Sequence, residues 1–407
     1  MQPRVRTGRP APRSSRDLVL TALRALGPLS RADLVRCTGA APSTVSAVVG
    51  DLTAAGLVVG SASPAPGQPG RPGLRLTLSP RLGAVAGVEF GFASLRVLLC
   101  DVAHNVVASA ECELPAEHAS AVALTAARAL TDQALRAAGL PRAALLGAGV
   151  SLPGPVGRHP DVVKSSAILP GWRGVSGADI AAALGVPVSI DNDSNLAALG
   201  EHAWGAGRGC DDSVTVKFHT GIGCGVFANG TLVRGPAGGA GEIGHVTVDE
   251  RGPLCRCGKR GCLETYAAVP AIIEALRPRH GQLTPPELMR LLAAGDPGAV
   301  RVASDAAGLI GTHLAATCNL LAPQRIIVIG LMAEAGTLVL DPIRAAIARN
   351  VAPNEVPEVV SGSLGTRQTA LGAIALALDE TDWLPGAAPR ARPRSGRRPP
   401  PRPEART

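Results

Sequence analysis

The chain has 407 residues, of which 46% are hydrophobic, 2% aromatic and 18% charged, and its formal net charge is +8. That length suits two or three domains with real cores, packed mainly from Ala, Val and Leu. No apolar run has the length and purity of a membrane span, and no apolar stretch follows the Arg-rich start, which argues against membrane-embedded or secretory classes.

The charge lies at the ends. Residues 1–16 carry five Arg and no acid, residues 386–407 carry seven Arg and one Glu, and residues 17–385 therefore sum to −3. Both ends are Pro-rich and aperiodic, which predicts disordered basic tails. They either raise non-specific affinity for DNA or reflect Arg and Pro collecting in unconstrained ends. The nine Cys predict buried thiols in a reducing cytoplasm rather than a disulfide framework.

Residues 15–26 predict a first helix, with Leu18, Val19, Ala22, Leu23 and Leu26 at helical spacing. Gly27-Pro28 ends it. Ser30 and Asp33 form a capping-box pattern for a second helix that stops near Gly39. A third helix runs from Pro42 through Leu52 to Ala55, and Gly56 breaks it. Its early hydroxyls, Ser43, Thr44 and Ser46, suit phosphate oxygens and close base contact, and no Arg, Asn or Gln stands there for bidentate readout. Residues 57–59 and 74–78 predict two strands around a Gly-Arg-Pro segment. Arg71 in that segment is the candidate for a narrow minor groove, unless the segment is only a flexible tip. This stretch, residues 17–80, resembles the winged helix-turn-helix of bacterial repressors.

The order of elements from residue 84 to 380 predicts an α/β fold with two lobes and a ligand crevice between them. Strands are expected at 85–90, 95–101, 106–111, 145–150, 188–190, 213–218, 222–228 and 326–330. Helices are expected at 119–138, 194–203, 299–320, 340–349 and 365–378. His245, Cys255, Cys257 and Cys262 offer one nitrogen and three sulfurs, the chemistry of a closed structural zinc site. Sugar recognition needs donors and acceptors fanned around hydroxyls. Asn192, Asp193, Glu242, His245 and Glu264 are the candidates. Asp193 is equally suited to be a carboxylate at a helix N-terminus. Thr220-Gly221-Ile222-Gly223-Cys224-Gly225 reads as a glycine-rich phosphate loop or as a tight β-turn.

The segments Gly238-Gly239-Ala240-Gly241-Glu242-Ile243-Gly244-His245 and Cys255-Arg256-Cys257-Gly258-Lys259-Arg260-Gly261-Cys262-Leu263-Glu264 resemble the ROK family of repressors and sugar kinases. The resemblance covers about residues 17–380 and implies a winged helix joined to an actin-like ATPase (sugar-kinase) fold. It implies the same four zinc ligands, Asp193 as general base in a kinase, and Asn192, Glu242, His245 and Glu264 on sugar hydroxyls. Where relatives often offer an Asn to the sugar, this chain has Ile168, with Trp172 after it as a packing aromatic.

One departure concerns the first phosphate loop. Active members resemble Asp, an apolar residue, two Gly and Thr; here the run is Glu89-Phe90-Gly91-Phe92-Ala93. Misplacement by about 1 Å can cost on the order of a hundredfold in rate. The expectation is therefore a body without useful kinase activity, with ATP and magnesium unlikely and with Gly91, Thr220, Gly221, Gly223 and Gly225 as a vestigial nucleotide site. On that reading the protein is a cytoplasmic repressor, a homodimer or homotetramer on double-stranded operator DNA, released by a monosaccharide or derivative. The alternatives are a bifunctional ATP-dependent sugar kinase that also binds DNA, and a DNA-binding protein whose body only dimerises it.

Overall fold

The computed structural model describes residues 14–62, 74–154, 156, 169–352 and 356–380. They divide into two compact units, one within residues 14–23, 29–62 and 74–77, the other within residues 24–28 and 78–380.

The first unit contains most of α1 (Ser15–Leu26), α2 (Arg31–Thr38), α3 (Pro42–Ala54) and nearly all of a two-stranded sheet of β1 (Val58–Ala62) and β2 (Leu74–Leu78). The predicted capping box is present. Ser30 Oγ accepts from Asp33 N at 3.1 Å, and Asp33 Oδ2 accepts from Ser30 N at 2.8 Å. Such a cap contributes about 1 kcal/mol. Gly39 ends α2 at φ 68, a left-handed conformation costly for a residue with a Cβ. Val45, Val49 and Leu52 turn inward from α3, while Ser43, Thr44 and Ser46 are exposed. Leu29 exchanges both backbone hydrogen bonds with Leu76, at 2.9 and 2.8 Å, and so extends the sheet beside β2. Arg71, Ile168 and both Arg-rich ends up to Arg13 and from residue 381 lie outside the described residues.

The second unit holds two sheets. The first is made of β3 (Ala84–Phe90), β4 (Ser94–Asp101), β5 (Val106–Glu113), then α4 (Ser120–Ala137), β6 (Leu145–Leu152), α5 (Gly177–Leu184) and β7 (Val188–Asn192). Its strand order is β5-β4-β3-β6-β7, with β3, β6 and β7 parallel. After α6 (Asp193–Trp204) come β8 (Ser213–Phe218), β9 (Ile222–Ala228), β10 (Thr231–Val233), α7 (Glu264–Ala267), α8 (Val269–His280), α9 (Pro285–Ala293) and α10 (Pro297–Leu321). The chain closes with β11 (Arg325–Ile329), α11 (Thr337–Asn350), β12 (Glu358–Ser361) and α12 (Gln368–Glu380). The second sheet has the order β10-β9-β8-β11-β12.

Each sheet buries one face against its own helices. Phe90, Leu99 and Val150 pack with Leu130 of α4 and Ile180 of α5. Val214, Val216 and Phe218 pack with Ile272, Leu288, Ile310 and Ile343 of α8 to α11. The other faces meet a helix pair: α12 lies on β3 and β6, and α6 lies on β8 and β9. That pair approaches closely because of two glycines. A Cβ on Gly372 would strike the Leu196 carbonyl, and one on Gly200 would strike the Gln368 carbonyl. The result is a two-lobed body with the start of α6 at its centre. Among the described residues no helix is long and apolar enough to cross a membrane.

Candidate functional site

Strand β7 ends in Asn192 and α6 begins with Asp193. Asn192 is the N-cap, its Oδ1 accepting from Ser194 N at 2.8 Å and Asn195 N at 3.2 Å. Its amide nitrogen donates to Gly154 O at 2.9 Å. The cap therefore uses most of Asn192, and one N–H remains for a ligand. Asp193 takes the helix-start position open to it and also pairs with a lysine. Its Oδ1 accepts from Ser194 N at 2.8 Å, at the helix start, and its Oδ2 accepts from Lys217 Nζ at 2.6 Å. Burial alone would lower the Lys217 pKa, but the Asp193 carboxylate, with help from Glu89, outweighs it and raises the value.

Glu242, His245 and Glu264 converge. His245 Nε2 lies 3.7 Å from Glu242 Oε2, and His245 Nδ1 lies 3.8 Å from Glu264 Oε1. Burial pushes the Glu242 carboxyl up to about 7, and the like charges of Asp193 and Glu264 add to it. Glu264 opens α7 beneath the glycine turn, where a Cβ on Gly221 would stand 3.3 Å from its Oε2. Beside it a cleft is lined by Thr220, Cys255, Arg256, Glu264 and Ala268.

The four candidate metal ligands are brought together. One donor atom each from His245, Cys255, Cys257 and Cys262 lies within 4.8 Å of all the others. Cys257 Sγ is 3.6 Å from Cys262 Sγ, and Cys255 Sγ is 3.6 Å from His245 Nδ1. A tetrahedral zinc with bonds of about 2.3 Å needs ligands about 3.8 Å apart, so these residues fit the ion. With Nδ1 on the sulfur side, the ring's Nε2 is the nitrogen that faces Glu242.

The glycines of the second loop have two uses. Gly221 lies in the β8–β9 turn, closed by His219 N donating to Gly221 O at 3.1 Å. Gly223 and Gly225 belong to β9 and let it press on α6: a Cβ on Gly223 would come 2.6 Å from Ser194 Oγ. In the first loop Gly91 N donates to Ser94 O at 2.8 Å. Phe92 is 44% exposed at the tip, and its ring does not pack into the loop. Phe90 is the buried aromatic, edge-on to Trp172 at 4.7 Å.

Three side chains that tie the site together escape sequence reasoning. Lys217 is one; its signal is compositional, since the chain has only three lysines among its 40 basic residues. Another is His118, which joins Trp172 to Gly91. The third is Arg234, paired with buried Asp191 at the end of β7. His118 and Arg234 carry no local pattern, because their partners are distant in sequence.

Two sheets flanking a central helix pair, with a cluster of carboxyl groups near a glycine turn, define a two-lobed sugar-kinase-like protein with a helical N-terminal region. The ROK family model matches residues 85–380, and the chain belongs to the ROK family. It is 28% identical over 375 residues to the xylose repressor of Bacillus subtilis (strain 168), covering 90% of this chain and 95% of that one. The structure of a ROK family transcriptional regulator, a homologue of the E. coli MLC protein, matches with a TM-score of 0.73 at 24% identity, over 89% of this chain and 96% of that chain, which concerns the fold alone. A ROK family glucokinase from Streptomyces griseus, in complex with glucose and AMPPNP, matches with a TM-score of 0.65 at 28% identity, over 72% of this chain and 99% of that chain.

The glucokinase match overturns two expectations from the altered first loop, that kinase activity is lost and that ATP and magnesium are unlikely. Further glucokinases stand among the curated relatives. The physical reason lies at the hairpin tip. Phe92 and Ala93 change side chains exposed at the turn, while the backbone turn from Gly91 to Ser94 stays closed.

Proposed function

We propose that this chain is a sugar-responsive DNA-binding regulator, a repressor released from its operator by a monosaccharide or derivative, whose body also transfers phosphate from ATP to that sugar. The convergence of Asp193, Glu242, His245 and Glu264 on one another carries the reading. Residues 17–80 bind DNA as a winged helix-turn-helix, with Ser43, Thr44 and Ser46 on the groove-facing helix and Arg71 in the minor groove. Residues 84–380 bind the ligand. Glu242, His245, Glu264 and the remaining Asn192 N–H hold hydroxyls. Asp193 takes the proton of the attacking hydroxyl as the phosphoryl group passes to it, and Gly91, Thr220, Gly221, Gly223 and Gly225 line the phosphate path. Zinc on His245, Cys255, Cys257 and Cys262 would pin the 245–262 segment and orient the His245 ring; it supplies structure, and the chemistry is left to the carboxylates.

The regulator works as a homodimer on a palindromic site, and sugar and DNA weaken each other's binding by the same factor. The test is fluorescence anisotropy with the gene's own upstream DNA at fixed salt, with and without a panel of neutral monosaccharides and their phosphorylated derivatives, alongside ATP consumption with the neutral sugars. The expected result is selective DNA binding released by one sugar, and ATP consumption with that sugar that Asp193→Asn abolishes. Selective DNA binding indifferent to the neutral sugars and to their phosphorylated derivatives alike overturns the regulatory reading. Sugar binding without ATP consumption overturns the kinase half.

A further inference from the structure

We propose that Lys217 forms a phosphoryl-binding subsite beside Asp193, so that the cleft takes a ligand carrying phosphate and not only a neutral sugar. The proposal rests on the cleft being the sugar site. Lys217 is the penultimate residue of β8, where Val214, Val216 and Phe218 alternate into the fully buried core. Strand alternation turns Lys217 to the opposite face, where α6 begins. There its Nζ donates to Asp193 Oδ2 at 2.6 Å. Its strand partner is Gly223, the residue pressed against Ser194. The pair is not sealed: the side chains of Lys217 and Asp193 keep 24% and 21% of their exposure.

An ammonium has three donors, and Asp193 occupies one. Asp193 and Glu89 both act on the Lys217 charge, and Glu242 in turn feels Asp193 and Glu264, so carboxyl groups crowd this part of the site. A phosphoryl oxygen approaching those carboxylates alone is repelled. Lys217 supplies the compensating charge two residues before the β8–β9 glycine turn, whose backbone admits close approach. A counter-ion needed only by Asp193 gains little from this position, because a half-buried pair carries a desolvation cost. The phosphate comes either from the terminal group of a nucleoside triphosphate or from a phosphorylated sugar.

Isothermal titration calorimetry on the full chain separates the sources, with glucose, glucose 6-phosphate and AMPPNP plus magnesium as probes. Lys217→Met and Lys217→Gln are compared with Lys217→Arg; Gln keeps a donor for Asp193 and removes the charge. We expect the neutral variants to bind one phosphate-bearing probe roughly ten- to a hundredfold more weakly while glucose affinity changes far less, and Arg to restore most of the loss. The probe that suffers identifies the source. Equal weakening of all three probes overturns the proposal and leaves Lys217 as a structural partner of Asp193. A wild-type chain that binds glucose but neither phosphate-bearing probe also overturns it. A wild-type chain that binds none of the three overturns the sugar-site reading and the proposal together.

Discussion

The indole Nε1 of Trp172 donates to His118 Nδ1 at 3.2 Å, and His118 Nε2 reaches Gly91 O at 3.0 Å. Because Nδ1 accepts, the ring proton sits on Nε2 and is donated to the Gly91 carbonyl. One neutral imidazole thus ties the first phosphate loop to the turn at residues 170–172. Trp172→Phe leaves His118, 2% exposed, with an unpaired nitrogen. The expected loss is about 2 kcal/mol in unfolding free energy, measured by urea denaturation. Unchanged stability would show that the relay holds nothing in place.

Metal removal is expected to loosen the site from below. The full chain should contain one zinc per protein by elemental analysis, and Cys257→Ser or Cys262→Ser should lose it. Chelation should lower the melting temperature by several degrees and abolish sugar binding, because His245 would no longer be held toward Glu242. Full sugar affinity in a metal-free sample would sever the link between the cluster and the pocket.

The exposed face of α3 offers a clean test of DNA contact. Thr44 is exposed, so Thr44→Glu should leave folding intact and set a negative charge against the phosphates. DNA affinity measured by anisotropy is expected to fall at least tenfold, with the melting temperature unchanged. Equal affinity would move the DNA contact off this helix.

Acid should act through His219. Burial, with the Lys217 ammonium adding to it, holds its pKa down to about 4 from an ordinary 6.5. The unfolded chain therefore binds this proton more readily than the folded one. The stability it contributes is complete above about pH 6.5 and is lost as pH falls toward 4. His219→Asn should lose less stability than wild type between pH 7 and pH 4.5, compared by denaturant midpoints. Parallel losses would assign the acid sensitivity to other groups.

Local chemistry in the sequence determined much of this molecule. Ser30 and Asp33 mark a helix start, Gly39 and Gly56 mark stops, and the alternation in β8 marks a buried strand, because caps, breakers and periodicity act within a few residues. The spacing of His245, Cys255, Cys257 and Cys262 announced a cluster that fits a metal for the same reason. Helices α5, α8 and α9 were less legible. Pro270, Pro285 and Pro286 stand in the first turns of the second and third, where proline fits, and Pro278 lies inside the second, near its end; both helices pack against α10. Only the tertiary structure decided that Phe92 is exposed at the turn while Phe90 is buried against Trp172. Only it paired Lys217 with Asp193 across 24 residues and His118 with Gly91 across 27. Charge pairs and hydrogen bonds of that reach are made when strands and helices from distant segments meet, and no periodicity within either segment encodes them.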